Sequence, residues 1–204
     1  PVGMFYGYIW EGVYNYEDFN NPSEGVYVLK PSVSRNGTNN VQPGDIKYRD
    51  INGDGTIDPQ DLTVLGRGLP IHTGGFNNNL NYGNFSLNVF FQWSYGNQIY
   101  NANRLMFEGN GNVRANLNQF ASYVDRWSPE NPTSTNFRAR GQGVTGYHSD
   151  RVLEDGSYLR LKTLSLSYNI PKKYMSKTFL NTLNLGVAAQ NLITWTNYTG
   201  MDPE

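Results

Sequence analysis

Residues 85–95, FSLNVFFQWSY, alternate along most of their length. Phe85, Leu87, Val89, Phe91, Trp93 and Tyr95 share one face, Ser86, Asn88, Gln92 and Ser94 share the other, and Phe90 is the exception. A period of two predicts a β-strand. Ten steps of ~3.3 Å tilted by ~40° make an apolar band ~25 Å tall, with aromatic residues at both rims, which is the lipid-facing pattern of a transmembrane barrel strand. The pattern recurs. In GGFNNNLNY, Phe76, Leu80 and Tyr82 alternate with Asn77, Asn79 and Asn81, and the two-residue turn Gly83-Asn84 joins that strand to the next as a hairpin. In TLNLGVAAQNLITW, Leu183, Leu185, Val187, Ala189, Ile193 and Trp195 oppose Thr182, Asn184, Gly186, Gln190 and Thr194. SYLRLKTLSLSYNI alternates too, but its apolar parity shifts between Leu161 and Leu164, which predicts a bulge near Lys162. A fifth strand is expected over GMFYGYIWEGVY, where aromatic residues on both faces leave the lipid side undefined.

The connections are unequal. Gly83-Asn84 and the segment Pro171 to Asn181 are short, whereas 15–72 and 97–156 are long, polar and rich in Asn and Gly. Chain order puts the short turns at one end of the strands and the long loops at the other, as in outer-membrane barrels with short periplasmic turns and long extracellular loops. The expected fold is therefore all-β: an antiparallel transmembrane β-barrel segment with extracellular loops over 15–72 and 97–156.

Composition narrows the partners. The chain of 204 residues has a formal charge of -1 and scattered Lys and Arg, which argues against nucleic acid. With no Cys there is no disulfide framework, zinc cluster or thiol nucleophile. No apolar run approaches the ~18 residues of a spanning helix, but alternating barrel strands average to a polar composition in any case.

Residues 49–61, RDINGDGTIDPQD, carry a different signal. Against a twelve-residue calcium loop, Asp50, Asn52 and Asp54 fall at positions one, three and five, and Gly55 at the sharp turn. Thr56 offers a carbonyl at position seven, Ile57 packs inward at eight, Asp58 reaches the ion directly or through water, and Asp61 closes the loop one methylene short of the usual Glu. This oxygen set predicts a structural Ca²⁺ site, with Mg²⁺ a second choice. The same residues also make Asx turns without any metal. The flanks differ from those of a helical hand, with an extended PGDIKYRDI before the loop and one or two helical turns from Asp58 with Pro59 at the first position after it.

Enzyme chemistry has little support. His72 and His148 are the chain's two histidines and have no sequence partner, and Glu108, Glu130, Glu154 and Asp155 lie on long polar loops, where carboxylates are usually solvated. Phe120, Tyr123, Trp127, Tyr147 and Trp195 could stack on sugar rings or a partner, or pack among themselves. Leu117, Phe120, Tyr123, Val124 and Trp127 have helical spacing up to Ser128-Pro129, which predicts a short helix.

Five stretches together resemble a known family: PVGMFYGYIWEGVY, PGDIKYRDINGDGTIDPQDLTVLG, TGGFNNNLNYGNFSLNVFFQWSYGNQIYN, DGSYLRLKTLSLSYNIP and LNLGVAAQNLITWTNYTGMDPE. In that order they resemble the SusC/RagA-type TonB-dependent transporters of Bacteroidota outer membranes. The resemblance implies that residues 1–204 are a C-terminal portion of a barrel of ~22 strands, about five of them here, without the plug and the last strand. It further implies a nutrient importer of oligosaccharides or peptides that works with a SusD-like surface lipoprotein and is driven by TonB through the absent plug. The other reading of the same residues is a calcium-stabilised soluble cell-surface binding or adhesion module.

Overall fold

The computed structural model describes residues 2–23, 25–37, 40–108, 118–132, 134, 136–141, 148–176 and 179–204, with the backbone alone for 21–23. The chain divides into two compact units, Pro1–Gly68 with Tyr100–Glu154, and Leu69–Ile99 with Asp155–Glu204.

The first unit is a set of short paired strands. β1 (Met4–Gly7) is antiparallel to β8 (Thr63–Arg67), and β2 (Trp10–Val13) to β6 (Ile46–Tyr48). β3 (Phe19–Ser23) and β4 (Val26–Leu29) form a hairpin, while β5 (Arg35–Asn36) runs parallel to β7 (Thr56–Ile57). Tyr8, Val13, Ile46, Tyr48, Ile57, Trp127 and Phe137 make one buried cluster, and Tyr14, Phe19 and Val41 a second.

The strand expected over GMFYGYIWEGVY is thus split into β1 and β2. Two buried tyrosines that flank β2 give the reason. Tyr8, between the two strands, is buried, stacks on Tyr48 at 5.1 Å between centroids and donates its backbone N–H to His148 O at 2.9 Å. Tyr14, just after β2, is fully buried and donates its hydroxyl to Ser34 O at 2.7 Å. These two buried tyrosines hold the chain on either side of β2 in the packed core, while Met4 and Tyr6 of β1 stay exposed.

The helix expected over 117–127 is a single 3₁₀ turn, Ala121–Asp125, and Leu117 lies outside the described residues. Phe120 does meet an apolar partner, Phe107, at 5.6 Å, but Phe107 belongs to a separate helix, α1 (Ala102–Phe107), begun by the Asn101 side chain accepting from Arg104 N at 3.3 Å.

The second unit is one antiparallel sheet of four long strands in the order β14-β13-β10-β9. β9 is His72–Tyr82, β10 is Phe85–Tyr95, β13 is Tyr158–Asn169 and β14 is Asn184–Thr196; two short strands, β11 (Gln98–Tyr100) and β12 (Leu153–Asp155), lie at the chain's passages between units. Tyr82 pairs with Phe85 across the Gly83-Asn84 turn, where Gly83 takes φ 58°. Rows of outward residues cross the sheet: Leu80-Leu87-Leu166-Val187 and Phe76-Phe91-Leu161-Ile193. Tyr82, Phe85 and Tyr168 form an aromatic rim at one end, and Tyr95, Trp93 and Trp195 one at the other. The apolar band and both girdles of a barrel wall are present on one face.

The bulge expected at Lys162 is there. Leu161 opposes Phe91 and Thr163 opposes Phe90, which leaves Lys162 without a partner in β10, and on the other side β14 accommodates the slip at Asn191 and Leu192, with Asn191 at φ 52°.

Candidate functional site

β6 delivers the chain into the Asp50–Asp61 loop and β7 receives it back, fastened by Arg35 N donating to Gly55 O at 3.0 Å. Within the loop every turn is capped by a side chain. Asp50 accepts from Gly53 N at 2.6 Å through Oδ1, and from Gly55 N at 2.8 Å and the Ser34 hydroxyl at 2.7 Å through Oδ2. Asn52 Oδ1 accepts from Asp54 N at 2.9 Å, and Asp54 Oδ1 from Thr56 N at 2.8 Å. Gly53 and Gly55 take φ 76° and 84°, a region costly for other residues. The Ser34 hydroxyl, with the loop's N–H groups, holds the Asp50 carboxyl below the usual range.

Asp61 has a separate task. It is fully buried, and its Oδ1 accepts from Ile51 N at 2.8 Å and Asn52 N at 3.3 Å, while Oδ2 accepts from Asp58 N at 2.9 Å. One carboxylate therefore ties the start of the loop to its end. Asp58 caps the 3₁₀ turn Pro59–Asp61 by accepting from Gln60 N at 2.7 Å, which is the short helical turn expected from Pro59. Ile57, at the expected inward position, is fully buried in the first unit's main cluster.

The donors are hard oxygens, and a carboxylate oxygen that accepts one N–H keeps a second lone pair. Among the described residues, however, no group of three or more His, Asp or Glu side chains is arranged to hold a metal ion. The structure gathers Asp50, Asn52 and Asp54 around one turn and engages Asp58 and Asp61 with the backbone.

The other candidates have ordinary explanations. Glu108 and Glu154 face arginines: Arg104 reaches Glu108 at 2.9 Å and Glu154 at 3.0 Å, and buried Arg151 reaches Glu108 at 3.0 Å. Carboxylates so engaged do not form an acid and base pair. Glu130 is held below its usual range by its own backbone N–H and the Ser128 hydroxyl. His148 Nδ1 lies 3.3 Å from the Tyr100 hydroxyl, and His72 Nδ1 accepts from Trp93 Nε1 at 3.2 Å, so neither contact joins a histidine to a carboxylate. Trp127 is buried in the first unit's core, whereas Trp195 is exposed on the sheet; Tyr147 lies outside the described residues.

Sequence reasoning named the polar face of the second unit but missed the ion pairs that Arg160 and Lys162 make there. Asn88 donates to Asn77 at 2.7 Å and to Asn79 at 2.6 Å. Arg160, 3% exposed, meets Asp202 at 2.5 Å, Glu204 and the Thr194 hydroxyl, and its guanidinium lies 5.1 Å from the Tyr158 ring centroid. Lys162 joins Glu204 at 3.0 Å. The available signal was two basic residues flanking the parity shift in β13, with two carboxylates shortly after β14.

No family model matches the chain. TonB-dependent receptor P3 of Formosa agariphila is 39% identical over the whole chain, and receptor P26 of the same organism is 37% identical over 88% of it; the chain spans 18% of each. TonB-dependent receptor SusC of Bacteroides thetaiotaomicron is 26% identical over 87% of the chain, which covers 17% of that protein. The solved RagAB peptide transporter aligns with 98% of the chain at a TM-score of 0.71 and 22% identity, a likeness of fold that uses 20% of the solved chain. The two faces of the sheet and these relatives agree: the chain belongs to the SusC/RagA-type TonB-dependent receptor family and spans about a fifth of its relatives' length.

Proposed function

We propose that this chain forms part of the wall and outer loops of an outer-membrane importer of nutrients, oligosaccharides or peptides, driven by TonB through a plug elsewhere in the parent protein. The observation that carries this reading is the four-strand sheet, whose outward face is an apolar band with two aromatic girdles while its other face is amide-rich and polar. A SusD-like surface lipoprotein is the proposed partner at the outer loops. Support comes from the relative named SusC and from the fold likeness to the RagAB transporter. The loops 15–72 and 97–156 are then extracellular and the Gly83-Asn84 turn periplasmic. On whole cells, a cysteine at Asn40 of the parent protein is expected to react with an impermeant thiol reagent and one at Asn84 to stay unlabelled. The opposite labelling would reverse the topology. A soluble adhesion module, by contrast, would leave the outer-membrane fraction without detergent.

The Asp50–Asp61 loop is proposed to bind one Ca²⁺, with Mg²⁺ a weaker competitor, through Asp50, Asn52, Asp54, the Thr56 carbonyl, Asp58 and Asp61. Spacing and donor chemistry support this reading. The oxygens that cap the loop's turns keep lone pairs for an ion, which would stiffen a loop otherwise held by its hydrogen bonds and the buried Ile57. Calcium titration of the parent protein is expected to protect the stretch from Pro43 to Gly68 against proteolysis, and Asp54→Ala to abolish that protection while leaving membrane insertion intact. Identical digestion with calcium and with chelator would leave an Asx-turn loop and no site.

A further inference from the structure

On the outward face of the sheet, Trp93, Leu159 and Trp195 stand opposite one another on β10, β13 and β14. Neighbouring strands are ~4.8 Å apart, so two indoles flank a leucine with their backbones ~10 Å apart. Trp93 leans the other way, over Gly74 of β9, where an added Cβ would come within 2.3 Å of the indole. The Trp93 Nε1 bond to His72 and the stacking of His72 on Tyr95 at 5.1 Å fix that wall. The result is an open cavity of about 850 Å³ with Leu159 and Trp195 still 41% and 49% exposed. Its far end is polar: Asn197 lines it together with Asp155, whose carboxylate accepts from Ser157 N at 2.9 Å.

We propose that this cleft holds one acyl chain of an outer-leaflet lipid, with a hydrogen-bond-donating headgroup against Asp155 and Asn197; the proposal rests on the barrel-wall reading above. Three features select this occupant. The floor continues directly into the apolar row Phe91-Leu161-Ile193, so whatever enters the cleft lies along the lipid-facing band. A methylene chain lying on the Leu159 floor against the Trp195 indole makes ~3.5–4 Å contacts on two sides, which a flat bilayer-facing row of leucines does not offer. The polar end carries a carboxylate and an amide, which suit a headgroup rich in N–H or O–H donors. A sugar ring stacked on the indoles would instead sit with its hydroxyls over leucine, leaving them without partners.

The test uses the full-length receptor reconstituted in vesicles of phosphatidylethanolamine bearing a diazirine in one acyl chain, with labelled peptides mapped by mass spectrometry. Labelling is expected to be several-fold higher at Trp93, Leu159 and Trp195 than at Leu166, which lies in the same band outside the cleft. Leu159→Trp, which fills the floor, is expected to remove the excess while labelling at Leu166 persists, and Leu159→Ala, which deepens it, to keep the excess. Replacing the headgroup by its trimethylated choline counterpart, which has no N–H donor, is expected to lower cleft labelling at least twofold. Uniform labelling along the band, or an excess untouched by Leu159→Trp, would overturn the cleft. Equal labelling by the two headgroups would overturn the polar contact. A receptor labelled nowhere on this face would sink the barrel-wall reading itself, a result distinct from the others.

Discussion

Val89→Arg in the full-length receptor is expected to destabilise the barrel by about 2–4 kcal/mol, and Asn88→Arg by far less. The two residues are adjacent on β10 and face opposite ways. Val89 lies across from Leu164 on the outward face, one row from Leu87 and Leu166 near mid-band, where a guanidinium would meet hydrocarbon. Asn88 sits on the polar face among Asn77 and Asn79, where an arginine keeps water and amide partners at the loss of two side-chain hydrogen bonds. Urea titration of the folded fraction in vesicles, read by heat-modifiable mobility, measures the difference. Equal tolerance at the two positions would dismiss the assignment of faces.

Ile57→Ala is expected to cost about 2–5 kcal/mol in the first unit while leaving the sheet unaffected. Ile57 is fully buried among Val13, Ile46, Tyr48 and Trp127, and the cavity left by its side chain cannot be relieved by exposed neighbours. It also sits between Gly55 and Asp58, so loosening it frees both the parallel pairing of β5 with β7 and the loop that Asp61 closes. Hydrogen exchange on the intact receptor should therefore rise across residues 50–61 and remain low in β10 and β13. Raised exchange in β10 and β13 as well would mean that the two units unfold as one.

The long strands were legible because each repeats a period-two pattern over ten or more residues, and a one-residue slip would expose an entire apolar face. Even the bulge at Lys162 was readable, from the odd spacing of Leu161 and Leu164. The first unit was not, for a physical reason. Its strands are two to five residues long and its core is assembled from aromatics far apart in sequence, such as Tyr8, Tyr48 and Phe137, so no local period records the packing. At the Asp50–Asp61 loop the spacing gave the turn geometry and the inward Ile57. It did not foretell that Asp61 would be fully buried as a backbone acceptor, because a side chain suited to an ion is equally suited to N–H groups. Arg160 was overlooked because a basic residue on the polar parity of a strand reads as solvated, and the carboxylates that engage it lie more than forty residues later.

The unpaired Lys162 divides β13 into two halves written in opposite phase: up to Leu161 the odd-numbered residues face outward, and from Leu164 the even-numbered ones do. Lys162 is the phase marker between them. Deleting this one residue would set Leu161 directly before Thr163, opposite Phe91 and Phe90, so both halves would keep their faces and β13 would run as a regular strand against β10. Deleting a residue within either half is different: it turns over every side chain between the cut and the bulge or the strand end. A deletion there acts on the strand as a frameshift acts on a message, and Lys162 is the one place where the reading frame tolerates it.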